Sequence, residues 1–106
     1  MSPHTVMIDH VTPLPEPYRK DIRRAIAILK EAGCTDVFLF GSLAAGKVRD
    51  KSDIDLAVRG CPRGEFFPLL GRLLLELSYP VDLVNLDRQD AFARYLEEQG
   101  GLLQIG

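Results

Sequence analysis

The chain has 106 residues, 46% of them hydrophobic and 26% charged, with 13 Lys+Arg against 15 Asp+Glu and a formal charge of −2. This is the balance of one globular domain, large enough to bury a core without disulfides or metal, and it excludes a disordered or collagen-like chain. The slight acidic excess argues against a general nucleic-acid coat, which needs surplus basic charge, but leaves room for a small nucleotide.

Residues 1–16 carry Pro3, Pro13 and Pro15. They read as a leader or edge segment, with a strand expected around Val6–Val11. His4, Asp9 and His10 lie there too, but a proline-rich start seldom preorganises a metal site. No basic segment precedes an apolar run, so the start does not read as a secretory signal. The longest uncharged stretch of the first ninety residues, Val37–Gly46, is about half of the ~20 residues a membrane helix needs.

From Pro17 a helix is expected, because proline suits the first turn. Tyr18, Ile22, Ile26 and Leu29 fall on one face, Arg19, Lys20, Arg23, Arg24 and Lys30 fall elsewhere, and Gly33 suits the left-handed residue beyond the end. Thr35–Phe40 reads as a buried strand, Gly41–Ser52 as a loop with one helical turn, and Asp53–Arg59 as an alternating strand. Glu65–Ser78 predicts an apolar helix with Phe66, Leu69, Leu70, Leu73, Leu74 and Leu77 on a broad stripe. Val81–Leu86 predicts a third strand. Asp87 or Asp90 is placed to cap a last helix, Ala91–Gln99, which Gly100 and Gly101 stop. The apolar tail Leu102, Leu103 and Ile105 is expected to dock on its own core, with a partner or dimer edge as the alternative. The order predicts an α+β (mixed α/β) fold: a small sheet of at least three strands covered by about four helices. The domain is taken as 17–106.

The chemistry concentrates in Gly41-Ser42, Asp53-Ile54-Asp55 and Asp82. Residues two apart in a strand share a face, so Asp53 and Asp55 are expected to point together. Two carboxylates held that close disfavour each other's ionisation, and a divalent cation with a taste for hard oxygen ligands relieves this. If Val81–Leu86 lies beside that strand, Asp82 faces the same side. Three carboxylates on one face form the ligand set of a two-metal phosphoryl-transfer site. Gly41 allows close approach of a phosphate. If Ser42 opens a helical turn, its free N–H groups and hydroxyl can bind an anion. Lys47 and Arg49, with Lys51, add cations around the loop.

The run FGSLAAGKVRDKSDIDLAV followed by PVDLV resembles the minimal nucleotidyltransferases of the DNA polymerase beta superfamily: an apolar residue, Gly-Ser, about ten residues, Asp-x-Asp and a later single carboxylate on a strand. The resemblance spans roughly residues 17–99. It implies Mg²⁺-dependent transfer of a nucleoside monophosphate from a nucleoside triphosphate, usually ATP, to an acceptor hydroxyl. By position, Gly41 and Ser42 would hold the β- and γ-phosphates, with Lys47 and Arg49 in the nucleotide-binding loop. Asp53 and Asp55 would bind metal, and Asp82 would complete the second metal site and help activate the acceptor. Relatives often place an arginine just after Gly-Ser; Leu43 and Ala45 stand there in this chain.

A lone catalytic core of this size most resembles the antitoxin of HEPN/MNT toxin–antitoxin pairs. The acceptor that this implies is a tyrosine hydroxyl on the HEPN ribonuclease, and the assembly expected is a hetero-oligomer or a homodimer, without direct nucleic-acid or membrane contact. The alternatives are a non-catalytic binding module and a small-molecule transferase acting as a homodimer. Cys34 and Cys61 are the only cysteines; two isolated thiols without zinc-ligand spacing are read as unpaired, in a reducing cytoplasmic setting.

Overall fold

Pro15 starts helix α1 (Glu16–Glu31), whose first turn also holds Pro17. The computed structural model describes residues 14–48 and 52–106, so the expected strand at Val6–Val11 and the residues His4, Asp9, His10, Arg49 and Lys51 lie outside it. Along α1, Tyr18, Ile22, Ala25, Ile28 and Leu29 are buried. The helix ends before Gly33, whose φ of +105° continues the chain in the left-handed region.

The remaining elements are β1 (Asp36–Phe40), a single turn α2 (Gly41–Ala44), β2 (Ile54–Arg59), α3 (Phe66–Glu76), β3 (Val81–Asn85), a 3₁₀ turn (Leu86–Arg88), α4 (Ala91–Gln99) and β4 (Leu103–Gln104). The four strands form one sheet in the order β3-β2-β1-β4. β1 is antiparallel to both β2 and β4, whereas β2 and β3 are parallel. The parallel pair requires a crossover, and α3 supplies it. The result is the expected α+β class, among the described residues four helices on a four-stranded mixed sheet.

The alternation of the strands sends their side chains into two cores. Val37, Leu39, Ile54, Leu56, Val58, Val81 and Leu83 meet α1 and α3 on one face. Phe38, Phe40 and Ala57 meet Leu86, Ala93 and Leu96 of the α4 region on the other. The apolar tail docks on its own core: β4 extends the sheet, and Ile105 is buried.

Several local expectations change. β2 begins at Ile54 rather than Asp53, and β3 ends at Asn85, one residue short of Leu86. On α3 only Leu69 and Leu73 are buried within the helix; Leu74 is 53% exposed. A stripe of six apolar residues is broader than the strip of sheet available to cover it. Asp90, not Asp87, caps α4, accepting from the Ala93 N–H at 2.9 Å; Asp87 accepts from the Gly60 N–H at 2.7 Å instead.

The largest correction is covalent. Cys34 and Cys61 form a disulfide. The antiparallel register pairs Asp36 with Arg59, and two steps further out the same ladder brings Cys34 opposite Cys61. Their separation of 27 residues along the chain conceals a neighbour relation that only strand pairing creates.

Candidate active site

β1 leaves the sheet through Phe40, an extended residue with φ −139° and ψ −173°. Gly41 then takes φ +72° and turns the chain into α2. That region is costly for a residue with a Cβ. Space forbids one as well: a Cβ on Gly41 would collide with the Asp55 carboxylate. The reason lies in the register, which makes Phe40 and Asp55 partners across β1 and β2. Leu43, fully buried, pins the short turn to the core and so fixes where Ser42 stands. The first N–H groups of such a turn have no intrahelical acceptor. The Ala45 N–H closes the turn onto the Gly41 carbonyl at 3.2 Å. Lys47 is exposed just beyond it, its N–H donating to the Ser42 carbonyl at 2.8 Å.

Asp55 and Asp82 face each other across the parallel pair of β2 and β3, with backbones about 4.8 Å apart. Asp55 is half-buried, and Asp82 is exposed. Burial first, then the negative charges of Asp82 and Asp53, push the Asp55 carboxyl up from 3.8 to about 6. Asp53 is exposed and stands just ahead of β2 rather than within it. Its charge reaches Asp55, yet among the described residues no three His, Cys, Asp or Glu side chains converge closely enough to hold a metal ion. The donor set nevertheless fits Mg²⁺: hard oxygen ligands, a carboxyl whose ionisation is opposed by its neighbours, and a glycine whose missing Cβ lets that carboxyl lie against the turn.

Two α1 residues hold the segments that carry these carboxylates. The Tyr18 hydroxyl donates to the Ser52 carbonyl at 3.1 Å, directly before Asp53. Its ring stacks on Tyr79 with centroids 4.0 Å apart. The buried carboxylate of Asp21 accepts from the Ser78 and Tyr79 N–H groups at 2.8 and 2.9 Å. The Ile54 N–H then donates to the Pro80 carbonyl at 2.9 Å, tying the entrances of β2 and β3 together. Sequence reasoning missed Tyr18 and Asp21 as support for the site. The signal was present, since Asp21 is an acid on the apolar stripe of α1, between Tyr18 and Ala25.

The family profile of the polymerase beta nucleotidyltransferases matches residues 24–104, which include every carboxylate of the Asp53, Asp55 and Asp82 group. The chain belongs to this nucleotidyltransferase family. Among solved structures, a chain of a toxin–antitoxin structure with AMP-PNP is 27% identical, with a TM-score of 0.61, covering 80% of this chain and 69% of that one. A chain from a mutant of the MntA–HepT toxin–antitoxin is 25% identical with a TM-score of 0.62, covering 89% and 73%. Another MntA–HepT chain, at 23% identity, a TM-score of 0.58 and coverage of 81% and 69%, shows the shared fold. A comparison with curated proteins gave no match. No helix among the described residues is long and apolar enough to cross a membrane.

Proposed function

We propose that this nucleotidyltransferase moves AMP from ATP to a hydroxyl, and that the hydroxyl belongs to a tyrosine of a HEPN-type toxin for which the chain is the antitoxin. The observation that carries the reading is the placement of Asp55 between Asp82 and the bare backbone of Gly41. One wall is anionic and suited to a cation; the other carries the N–H groups at the start of α2, suited to phosphate oxygens. The similarity to toxin–antitoxin structures, one of them with AMP-PNP, supports the choice of nucleotide and partner.

In this reading residues 17–106 form the catalytic domain. Asp53, Asp55 and Asp82 would hold Mg²⁺, which when bound supplies neutralisation of the charge on the transferring phosphate and the leaving group. Gly41 admits the triphosphate to the backbone, and the Ser42 N–H and hydroxyl donate to its β- and γ-phosphate oxygens. Lys47 and Arg49 offset the remaining charge in place of the arginine missing at Leu43 and Ala45. Asp82, exposed at the start of β3, is open to an incoming hydroxyl and orients it toward the α-phosphorus. The hydroxyl gives its proton to the Asp82 carboxylate, its oxygen forms the new bond to the α-phosphorus, the α–β phosphoanhydride bond breaks, and pyrophosphate leaves.

The test is incubation with Mg²⁺, the HEPN partner and ATP labelled at the α-phosphate. Label should appear on a tyrosine of the partner with wild type and be absent with Asp53→Asn or Asp55→Asn. Equal transfer by both variants would overturn the assignment.

A further inference from the structure

α4 lies on the same sheet face as Asp55, and it is fixed there by Ala93 and Leu96, which are buried against Phe38, Phe40 and Ala57. One flank of the helix is held at the far end of β2 by the ion pair between Glu97 and Arg59, 3.4 Å apart. The opposite flank carries Phe92 and Tyr95. These rings are 49% and 56% exposed, although aromatic rings bring a large gain when buried. They lie within 15° of parallel, their centroids 6.5 Å apart. Phe92 also meets the Phe40 ring edge-on, 6.2 Å between centroids, and Phe40 is the residue paired with Asp55. The rings therefore form a series of neighbours, Phe40, Phe92, Tyr95, that begins one strand away from Asp55.

We propose that Phe92 and Tyr95 form the platform on which the base of the nucleoside triphosphate stacks. The inference rests on the triphosphate reading of Gly41, Ser42 and Asp55 and adds to it the part of the ligand that those residues do not recognise. Bases stack on aromatic faces without needing hydrogen bonds, which suits two exposed rings. The cavity beside Gly41, about 320 Å³, is walled by Ala44, Ala45 and Gly100–Leu103 and offers no ring. A platform near the reacting phosphate also fixes the ribose between base and phosphate, so the α-phosphorus is presented in one orientation.

The experiment compares ATP with ribose 5′-triphosphate, each with Mg²⁺, by calorimetric titration of wild type, Tyr95→Ala and Phe92→Leu. Leucine keeps apolar contact with Phe40, and Tyr95 lies on the helix surface, so both variants retain the fold; circular dichroism checks this. Each should weaken ATP binding by about tenfold, the loss expected for removing one stacking surface, and leave ribose 5′-triphosphate binding unchanged. Wild type should prefer ATP over the base-free compound. Equal affinity of wild type for the two compounds, or unaltered ATP affinity in both variants, overturns the platform alone. Unaltered ATP affinity combined with lost toxin binding would do the same by assigning the rings to the protein partner. Failure of wild type to bind either compound would overturn the triphosphate site and the platform with it.

Discussion

Replacing Asp55 with Asn keeps the shape of the side chain beside Gly41 and removes its charge. The folded protein raises the carboxyl from 3.8 to about 6, a gap worth roughly 3 kcal/mol if fully realised. Asp55 is only half-buried, so solvent screening reduces this to about 1 kcal/mol. The sign follows from linkage: the folded state binds the proton more tightly than the unfolded state, so the contribution of Asp55 to stability is fully present below about pH 4 and is lost as pH rises through 6. Asn escapes that loss. At pH 7.5 without divalent cations, Asp55→Asn should therefore be more stable than wild type by about 1 kcal/mol, or roughly 4–8 °C in Tm for a domain near this size. At pH 4 the two proteins should converge. Excess Mg²⁺ should narrow the gap at pH 7.5 by binding folded wild type. Urea denaturation at both pH values measures the difference. A variant that is less stable at pH 7.5, or a difference independent of pH, would refute the idea that Asp55 is held against its own electrostatics.

Gly41→Ala should lose about 1–3 kcal/mol, because it forces a Cβ into the left-handed region and toward the Asp55 carboxylate; thermal melts giving wild-type stability would contradict the turn geometry. Asp21→Ala should lower stability by about 2 kcal/mol by leaving the Ser78 and Tyr79 N–H groups without their acceptor. Asp21→Asn, which retains an acceptor oxygen, should recover most of that loss, and equal damage by both variants would show that the hydrogen bonds are not the cause. Reducing the Cys34–Cys61 disulfide should cost about 3.5 kcal/mol for a loop of this length; denaturation curves that coincide with and without dithiothreitol would rule out a role in stability.

The elements are legible in the sequence because each has a local cause. Spacing of apolar residues marks α1, proline and glycine punctuate its ends, and alternation marks β2. The pairing of Asp55 with Asp82 follows once the two apolar segments lie side by side. What escapes depends on contacts distant in sequence. Tyr18 reaches Ser52, and Asp21 reaches Ser78 and Tyr79, across 34 to 58 residues. The Cys34–Cys61 bond depends on strand register in the same way. Alternation continues through Asp53 and so reads as strand, but pairing with β3 starts at Ile54. Leu74 reads as core because helical periodicity reports a stripe without reporting how much sheet there is to cover it.

Catalysis and simple sequestration differ most plainly in stoichiometry. The decisive measurement titrates the chain, with ATP and Mg²⁺, against an excess of the HEPN ribonuclease and records both residual RNA cleavage and the mass of the toxin. Substoichiometric wild type should silence the excess, raise the toxin mass by whole AMP units and leave it inactive after the proteins are separated, while Asp82→Ala should bind the toxin without modifying it. Protection that requires one chain per toxin, ignores ATP, leaves the toxin mass unchanged and is matched by Asp82→Ala would contradict the enzymatic reading.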